Sequence, residues 1–251
     1  MSAALSVVVP AYNEARHIAA SVRAIDVWAR ASGTPIELIV VDDGSGDATA
    51  DEAAAAARCT VVRNPHRGKA FAVRTGVLLA NAPAVLFTDA DLAVPIEQAT
   101  RFLAIQRGGV PVVIASREGV GAARIGEPWH RHAMGRVFNG IVRTLAVPGI
   151  QDTQCGFKLF ERTAARRLFE ASRLYADAAA PLRGAAVTAF DVEILFLARR
   201  FGYRIAEVPV EWHHVDQSKV RPLTDSLRNL GDVLAVRWHA LRGRYPAQAS
   251  R

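Results

Sequence analysis

The chain has 251 residues, of which 51% are hydrophobic and 22% charged, which suits one large α/β domain or one domain with small additions. Two cysteines, Cys59 and Cys155, are too few for a disulfide scaffold, and no apolar run is long enough to span a bilayer. Residues 5–10 are too short and lack the basic leader of a signal peptide, so we expect a cytoplasmic protein.

The net charge of +7 is unevenly distributed along the chain. Residues 1–100 carry a net charge of −3, whereas residues 101–251 carry +10. The basic second part could face phosphate, anionic lipid or nucleic acid, or it could be an ordinary solvated surface rich in arginine.

Strands and helices alternate in the first half of the predicted structure. Buried strands are predicted at residues 5–10, 36–41, 60–63, 84–87 and 110–115. The helices between them are capped by Asn13 and Asp47, or open at Gly68 and Pro95. This order predicts a Rossmann-like, mostly parallel sheet with helices on both faces, which binds ligands at the carboxyl ends of its strands.

The pattern changes after residue 118. Apolar residues from Met134 to Leu145 follow helical spacing, and this helix either lies on a membrane or packs on the sheet. A helix is predicted at 190–201, a strand at 204–210 and an amphipathic helix at 223–241. We therefore expect one domain over residues 1–221, with a nucleotide-sugar half (1–117) and an acceptor half (118–221), and then a helix and tail over 222–251.

Two aspartates separated by Ala90 follow the strand at 84–87. Asp89 and Asp91 emerge together at the strand tip, where their charges repel unless a cation lies between them. A hard divalent metal that carries nucleotide phosphates is the usual solution. The pair predicts a donor and metal site.

Three earlier turns carry chemistry of the same kind. Residues 10–14 (Pro-Ala-Tyr-Asn-Glu) offer an aromatic face and an acceptor for ribose or base, or a simple helix cap. Residues 42–44 (Asp-Asp-Gly) suit the imide N–H of a base, or an ordinary turn. Residues 67–69 (Arg-Gly-Lys) open a helix and suit a diphosphate, or a solvated turn.

Together these four turns resemble the family 2 inverting glycosyltransferases of the GT-A fold. Three later stretches resemble the dolichyl-phosphate β-glucosyltransferase branch, which glycosylates polyprenyl phosphates. They are Asp-Thr-Gln-Cys-Gly-Phe-Lys at 152–158, Phe-Asp-Val-Glu at 190–193 and Glu-Val-Pro-Val-Glu-Trp at 207–212, with Ser-Lys at 218–219 after them.

The resemblance implies a nucleotide-sugar donor, with UDP-glucose expected, and Mg²⁺ or Mn²⁺ as cofactor. It implies that Asp89 and Asp91 hold the ribose and the metal-bound diphosphate. The other residues of the implied donor pocket are Pro10, Ala11, Tyr12, Glu14, Asp42, Gly44, Lys69 and Ala90.

The implied acceptor is a polyprenyl phosphate, which is already anionic and needs charge compensation more than a base. The residues expected to serve it are Arg117, Arg124, Arg131, Lys158 and Lys219. A hydroxyl acceptor would instead need a carboxylate base, for which Asp152 and Asp191 are available. Asp152 could equally orient a neighbouring arginine or lysine. The candidate catalytic set is therefore Asp152, Asp191, Arg117, Arg131 and Lys158.

Three functions compete at this point. The first is transfer of glucose to a polyprenyl phosphate by a protein attached peripherally to the cytoplasmic membrane face. The second keeps the donor and uses a soluble hydroxyl or amine acceptor. The third is a non-enzymatic basic module, but few aromatic residues lie among the basic ones, which argues against a nucleic-acid partner. The oligomeric state is left open by the sequence.

Overall fold

The computed structural model describes residues 2–126, 136, 140, 142, 144–174, 188–214 and 222–246, with the backbone alone at 222–227. Arg131 and Lys219, which were predicted to bind the acceptor, lie outside these residues.

A seven-stranded sheet forms the centre of the molecule, in the order β3-β2-β1-β4-β7-β5-β8. Two short strands, β6 and β9, pair in parallel as a second sheet. The strands are β1 (Leu5–Ala11), β2 (Ile36–Asp42), β3 (Thr60–Arg63), β4 (Ala84–Phe87), β5 (Val112–Ser116), β6 (Ala123–Ile125), β7 (Lys158–Glu161), β8 (Ile205–Pro209) and β9 (Glu211–His213).

Helices cover both faces of the large sheet. They are α1 (Ile18–Ser32), α2 (Thr49–Ala56), α3 (Lys69–Leu79), α4 (Gln98–Arg107), α5 (Arg162–Ala171), α6 (Phe190–Arg200) and α7 (Pro222–Leu241). One buried cluster joins the sheet to α1, α2 and α4, and the other joins it to α3, α5, α6 and α7. The predicted α/β architecture is confirmed.

The side chains of β1 show why both faces are covered. Val8 belongs to one buried cluster, whereas Val7 and Val9 belong to the other, as the two-residue period of a strand requires. All seven residues of β1 are buried, which is typical of a central strand of a parallel sheet.

Strand β7 was not predicted. It runs antiparallel between β4 and β5, and it places Lys158 opposite both Phe87 and Ile114. With only four residues, it gave no clear alternation in the sequence. The sheet therefore includes strands from both predicted halves of the chain.

The start of α1 corrects one expectation. Asn13 was predicted to cap this helix, but the helix begins at Ile18 and Asn13 adopts a left-handed conformation with φ of 54°. Its side chain accepts a hydrogen bond from the Gly46 amide, 2.8 Å away. Asn13 thus ties the β1 turn to the β2 turn.

The end of the predicted helix near residue 145 packs on the protein. Val142 and Val147 are fully buried in the cluster that contains α5 and α6. Residues 136, 140, 142, 144 and 145 are helical, and the intervening ones lie outside the described residues. Among the described helices, none is both long and apolar enough to cross a membrane.

Candidate active site

The polar turns predicted from the sequence meet at one edge of the sheet. β1 pairs in parallel with β2 on one side and β4 on the other, so Ala11 lies beside Asp42, and Val8 beside Phe87. The carboxyl ends of these three strands carry residues 10–14, 42–44 and 88–91. The sequence-predicted donor residues are therefore brought together.

The turn that follows β4 is held by a specific set of hydrogen bonds. The Leu92 amide donates to the Asp89 carbonyl at 3.1 Å, and the Ala93 amide donates to Asp91 Oδ1 at 3.1 Å. The Ser21 hydroxyl of α1 donates to the Ala90 carbonyl at 2.6 Å. Leu92 has a φ of 48°, a costly conformation for leucine that such contacts must stabilise.

The carboxylates of Asp89 and Asp91 lie in different electrostatic environments. Asp89 is paired with the ammonium of Lys69, the first residue of α3. Burial opposes the charge of Lys69, but Asp89 and Asp191 outweigh it and raise the pKa of the ammonium. Burial, followed by the charges of Asp89 and Glu14, raises the pKa of Asp91. A cation at this tip would therefore favour the ionised form of Asp91.

Gly156 lies directly against the Asp89 side chain. A Cβ atom added to Gly156 would lie 2.1 Å from Asp89 Oδ2 and 2.5 Å from Oδ1. Any residue larger than glycine at position 156 would collide with the Asp89 carboxylate in this position. The most specific stretch of the sequence, residues 152–158, thus forms one wall of the paired-aspartate site.

Asp43, the residue directly after β2, organises the loop before α3. Asp43 accepts hydrogen bonds from the amides of Arg67 (2.9 Å) and Gly68 (2.7 Å), and His66 Nδ1 lies 2.7 Å from its Oδ2. Gly44 has a φ of 73° and lies close to the backbone of His66. A Cβ atom added to Gly44 would lie 2.7 Å from the backbone nitrogen of His66. Asp43 therefore fixes the backbone that presents Lys69.

Two aromatic rings stack at the same edge of the sheet. The rings of Tyr12 and His66 are 3.9 Å apart and nearly parallel. Asp42 is buried, and its Oδ1 accepts a hydrogen bond from the Ser45 amide at 3.2 Å. The Glu14 amide donates to Thr49 Oγ1 at 2.8 Å, which joins the β1 turn to α2. A flat aromatic pair and a buried carboxylate thus lie together at this edge.

Asp152 forms a buried ion pair. Arg117, just after β5, donates to it from its backbone amide, Nε and a terminal nitrogen, at 2.7 to 3.0 Å. Burial alone would raise the pKa of Asp152, but the charge and hydrogen bonds of Arg117 hold it well below its usual range. Such a carboxylate is a weak base. This geometry matches the alternative in which Asp152 orients an arginine.

The Arg117–Asp152 pair is supported by the last of the specific stretches. Glu207 of β8 accepts hydrogen bonds from the amides of Gln151 and Asp152, the latter at 2.8 Å. The Arg117 guanidinium lies 5.5 Å from the ring centre of Trp212. The stretches at 152–158 and 207–212 are therefore parts of one assembly.

Lys158 and Asp191 form the second buried pair. Lys158 is fully buried, and its Nζ donates to Asp191 Oδ1 at 2.6 Å and to the Cys155 carbonyl at 2.5 Å. Burial raises the pKa of Asp191, although Lys158 and Lys69 oppose the shift. Burial also raises the pKa of the Cys155 thiol to about 12, so this thiol stays protonated. Because Lys158 is fully buried, it can influence a ligand at the surface only by positioning Asp191 and the Cys155 backbone.

Arg124 is also engaged by a carboxylate. Its guanidinium donates to Glu118 at 2.7 Å, and Arg136 donates to the other Glu118 oxygen at 3.0 Å. Arg117 and Arg124 therefore lie close together, since Arg124 Nε also donates to the Arg117 carbonyl. The predicted acceptor cations that the structure describes are thus paired with acids.

The paired aspartates fit a hard divalent cation by their chemistry. Carboxylate oxygens are the ligands that Mg²⁺ and Mn²⁺ accept, and burial with the neighbouring charges of Asp89 and Glu14 raises the pKa of Asp91. Within the described residues, no three metal-ligating side chains lie together. Asp89 and Asp91 would therefore hold the ion while diphosphate and water oxygens complete its shell.

Several functional residues escaped the sequence reasoning. Ser21, Asp43, His66, Gly156 and Glu207 each position a predicted residue, but they lie on other elements. Asp43, Gly156 and Glu207 lie inside motifs quoted from the sequence, and those motifs were the available signal. Ser21 lies in the middle of an ordinary amphipathic helix, where nothing in the sequence marks it.

This chain is similar in sequence to known proteins. Residues 6–169 match the model of the family described as glycosyl transferase family 2. A dolichyl-phosphate beta-glucosyltransferase of Dictyostelium discoideum is 34% identical, over 95% of this chain and 75% of the relative. The Homo sapiens protein of the same name is 32% identical, over 98% of this chain and 79% of the relative.

Solved structures share the fold. A glucosyl-3-phosphoglycerate synthase of Mycobacterium tuberculosis, in complex with Mn²⁺, UDP and glucosyl-3-phosphoglycerate, aligns with a TM-score of 0.63 and 22% identity, over 99% of this chain and 82% of its own. A Pyrobaculum calidifontis mannosyltransferase with GDP-Man and Mn²⁺ aligns with a TM-score of 0.60 and 23% identity, over 98% and 66%.

These neighbours confirm the GT-A fold, and divalent metals occur in their complexes. Because the family model matches most of the chain, and the relatives cover nearly all of it, the chain belongs to the family 2 glycosyltransferases.

Proposed function

We propose that the protein transfers glucose from UDP-glucose to a polyprenyl phosphate, such as dolichyl phosphate. The observation that carries this proposal is the contact between Gly156 and Asp89. It joins the paired aspartates of the general family to the stretch that resembles the dolichyl-phosphate β-glucosyltransferases. Relatives of that name, similar over nearly the whole chain, support the same donor and acceptor.

The donor is proposed to lie across the carboxyl ends of β2, β1 and β4. Asp42 would accept the imide N–H of uracil, beside the stacked rings of Tyr12 and His66. Asp89 and Asp91 would hold Mg²⁺ or Mn²⁺, which supplies positive charge to the diphosphate. Lys69, at the positive end of α3, adds a second cation at the same place.

The acceptor phosphate requires no base. One of its oxygens would form the new bond to the anomeric carbon, and the bond from that carbon to the donor's β-phosphate oxygen would break, which releases UDP. No proton moves, because the nucleophile is already anionic at neutral pH.

The environment of the candidate bases favours this acceptor over a hydroxyl. Arg117 pairs with Asp152 and lowers the pKa of that carboxyl group. Asp191 is buried and paired with Lys158. We therefore propose positioning roles for Asp152, Asp191 and Lys158. Arg117 and Arg124, with Arg131 and Lys219, remain the proposed cations around the acceptor.

The first test is donor binding measured by thermal unfolding. UDP with Mn²⁺ should raise the midpoint, since a ligand at 100 times its Kd stabilises the folded state by about 2.7 kcal/mol. The shift should vanish with excess chelator or in Asp91→Ala, and persist in the control Asp51→Ala, an exposed acid of α2. Better protection by GDP would contradict the UDP assignment.

The second test is transfer to a panel of acceptors. UDP-glucose, Mn²⁺ and a short polyprenyl phosphate should give a glucosylated lipid, and Asp91→Ala should abolish product. Product formed only on a soluble hydroxyl or amine compound would replace the lipid proposal. Full turnover by Asp91→Ala would exclude the paired aspartates from the donor site.

A further inference from the structure

The last helix, α7, exposes large apolar side chains. Val233 and Val236 are fully buried against the body of the protein. In contrast, Leu234 is 53% exposed, Trp238 51% and Leu241 78%. Their spacing of four and three residues places these three side chains in one stripe along the outer face of the helix.

Arginines flank this stripe. By helical position, Arg237 lies on one side of it and Arg228 and Arg242 lie on the other. All three are exposed, and the Arg242 guanidinium lies 4.3 Å from the ring centre of Trp238. Between residues 228 and 246 the one acid is Asp232, which is partly buried and accepts a hydrogen bond from the Ala189 amide. The outer face therefore combines apolar and positive groups.

This chemistry fits an anionic bilayer surface. Leucine side chains enter the boundary between headgroups and acyl chains, tryptophan prefers that boundary, and arginines pair with lipid phosphates above it. A second copy of the chain fits poorly, because a two-fold contact of this face would place arginines against arginines.

We propose that the outer face of α7, formed by Leu234, Trp238, Leu241 and the flanking arginines, docks the protein on anionic lipid headgroups. This rests on the proposed function in one respect, since a polyprenyl phosphate lies in a bilayer and its enzyme must reach it. The surface itself is defined by exposure and charge, independently of the donor site.

The test is binding of the full chain to vesicles, with matched variants. Leu234→Ser/Trp238→Ser should weaken binding to phosphatidylglycerol-containing vesicles by about tenfold or more. The control Val27→Ser/Leu79→Ser removes two exposed apolar side chains from α1 and α3 and should bind as wild type. Trp238 emission should shift to shorter wavelength on binding, a change absent in Trp238→Phe.

Charge is tested in the same assay. Arg237→Glu/Arg242→Glu should lose binding, whereas Arg23→Glu/Arg107→Glu, with the same change of net charge on α1 and α4, should largely retain it. The proposal is overturned if wild type does not bind anionic vesicles or if the α7 variants bind as tightly. It is also overturned if they convert a solution dimer to monomer, which would make this face a self-contact.

Failure here is distinguishable from failure of the proposed function. The UDP-dependent thermal shift without vesicles should be the same in wild type and in Leu234→Ser/Trp238→Ser. Loss of that shift in wild type with intact vesicle binding would count against the donor site alone.

Discussion

The position of the Asp89 carboxylate depends on residues that are distant in sequence. Lys69 pairs with it from α3, and Gly156 leaves room for it from the segment before β7. The sequence predicted Asp89, Asp91 and Lys69, because charged residues at strand and helix ends have a direct chemical meaning. Gly156 was quoted only as part of a motif, since its importance depends on a contact that spacing cannot reveal.

Gly156→Ala should disable the site without unfolding the protein. The new methyl group would displace the Asp89 carboxylate, which can rotate away, so the fold should survive. We expect the metal-dependent UDP shift to fall sharply and transfer to drop by about a hundredfold, as expected when a charged ligand is misplaced. Thermal unfolding and transfer kinetics measure both effects.

The control for this substitution is Gly231→Ala in α7. An added Cβ there has no heavy atom within 4 Å, so donor binding should be unchanged. If the Gly156→Ala variant bound UDP and metal as tightly as wild type, the contact between Gly156 and Asp89 would not be needed for donor binding.

At the scale of elements, α6 is held by α7 and by the segment that follows α7. Asp232 accepts a hydrogen bond from the Ala189 amide at 2.9 Å, at the start of α6, and the Tyr245 hydroxyl donates to Glu193 at 2.7 Å. Burial raises the pKa of Glu193, which also accepts the Arg173 and Leu174 amides. The first turn of α6 carries Asp191, so these contacts also position Lys158.

Asp232→Ala should therefore destabilise the protein. Loss of a hydrogen bond to a charged group costs about 1.5 to 3 kcal/mol in the free energy of unfolding, which urea denaturation can measure. Glu170→Ala, which removes an exposed acid paired with Arg166 on α5, should change stability by only a few tenths of a kcal/mol, about the value of surface pairs. Equal effects of the two substitutions would show that this hydrogen bond does not stabilise the fold.

Most helices and the first five strands could be predicted, because helical spacing, apolar runs and capping residues mark them in the sequence. Helix α5 was not predicted. The amphipathic pattern of α7 was recognised, but its partners were not, because a pattern shows which face is buried and not what covers it. β6, β7 and β9 were not predicted, because each has only three or four residues and mixes charged with apolar side chains, so that no apolar run marks it.

At the scale of the molecule, buried ion pairs link distant parts of the chain. The Asp152 side chain pairs with Arg117 after β5, and its backbone amide donates to Glu207 of β8. Lys158 of β7 pairs with Asp191 of α6. The sequence analysis assigned Arg117 and Lys158 to the acceptor, and left Asp152 either as a base or as a residue that orients an arginine or lysine. It could not foresee their burial, because mutual pairing of the charges is a property of the tertiary structure.

The Arg117–Asp152 pair should make stability depend on pH. Because the pKa of Asp152 is lowered in the folded state, its contribution is complete above the unfolded value of about 3.9 and is lost as the pH falls through the folded pKa. Asp152→Asn should cost about 3 kcal/mol near neutral pH, and its difference from wild type should shrink below about pH 4.

Urea unfolding of both proteins across this pH range measures the difference. Asp51→Asn, which affects an exposed pair with Arg63, should match wild type throughout. A difference that stayed constant down to the lowest pH would show that Asp152 acts by shape and hydrogen bonding rather than by charge.

The antiparallel strand β7 has a consequence for the order in which the protein can form. It lies between β4 and β5, although residues 117–157 separate β5 from β7 along the chain. Until β7 has been synthesised, β4 and β5 each keep an unpaired edge, which is a surface prone to aggregate. The same insertion brings in Gly156 and Lys158. The proposed nucleotide site is therefore complete only when β7 has joined the sheet, so UDP binding would report a completed fold.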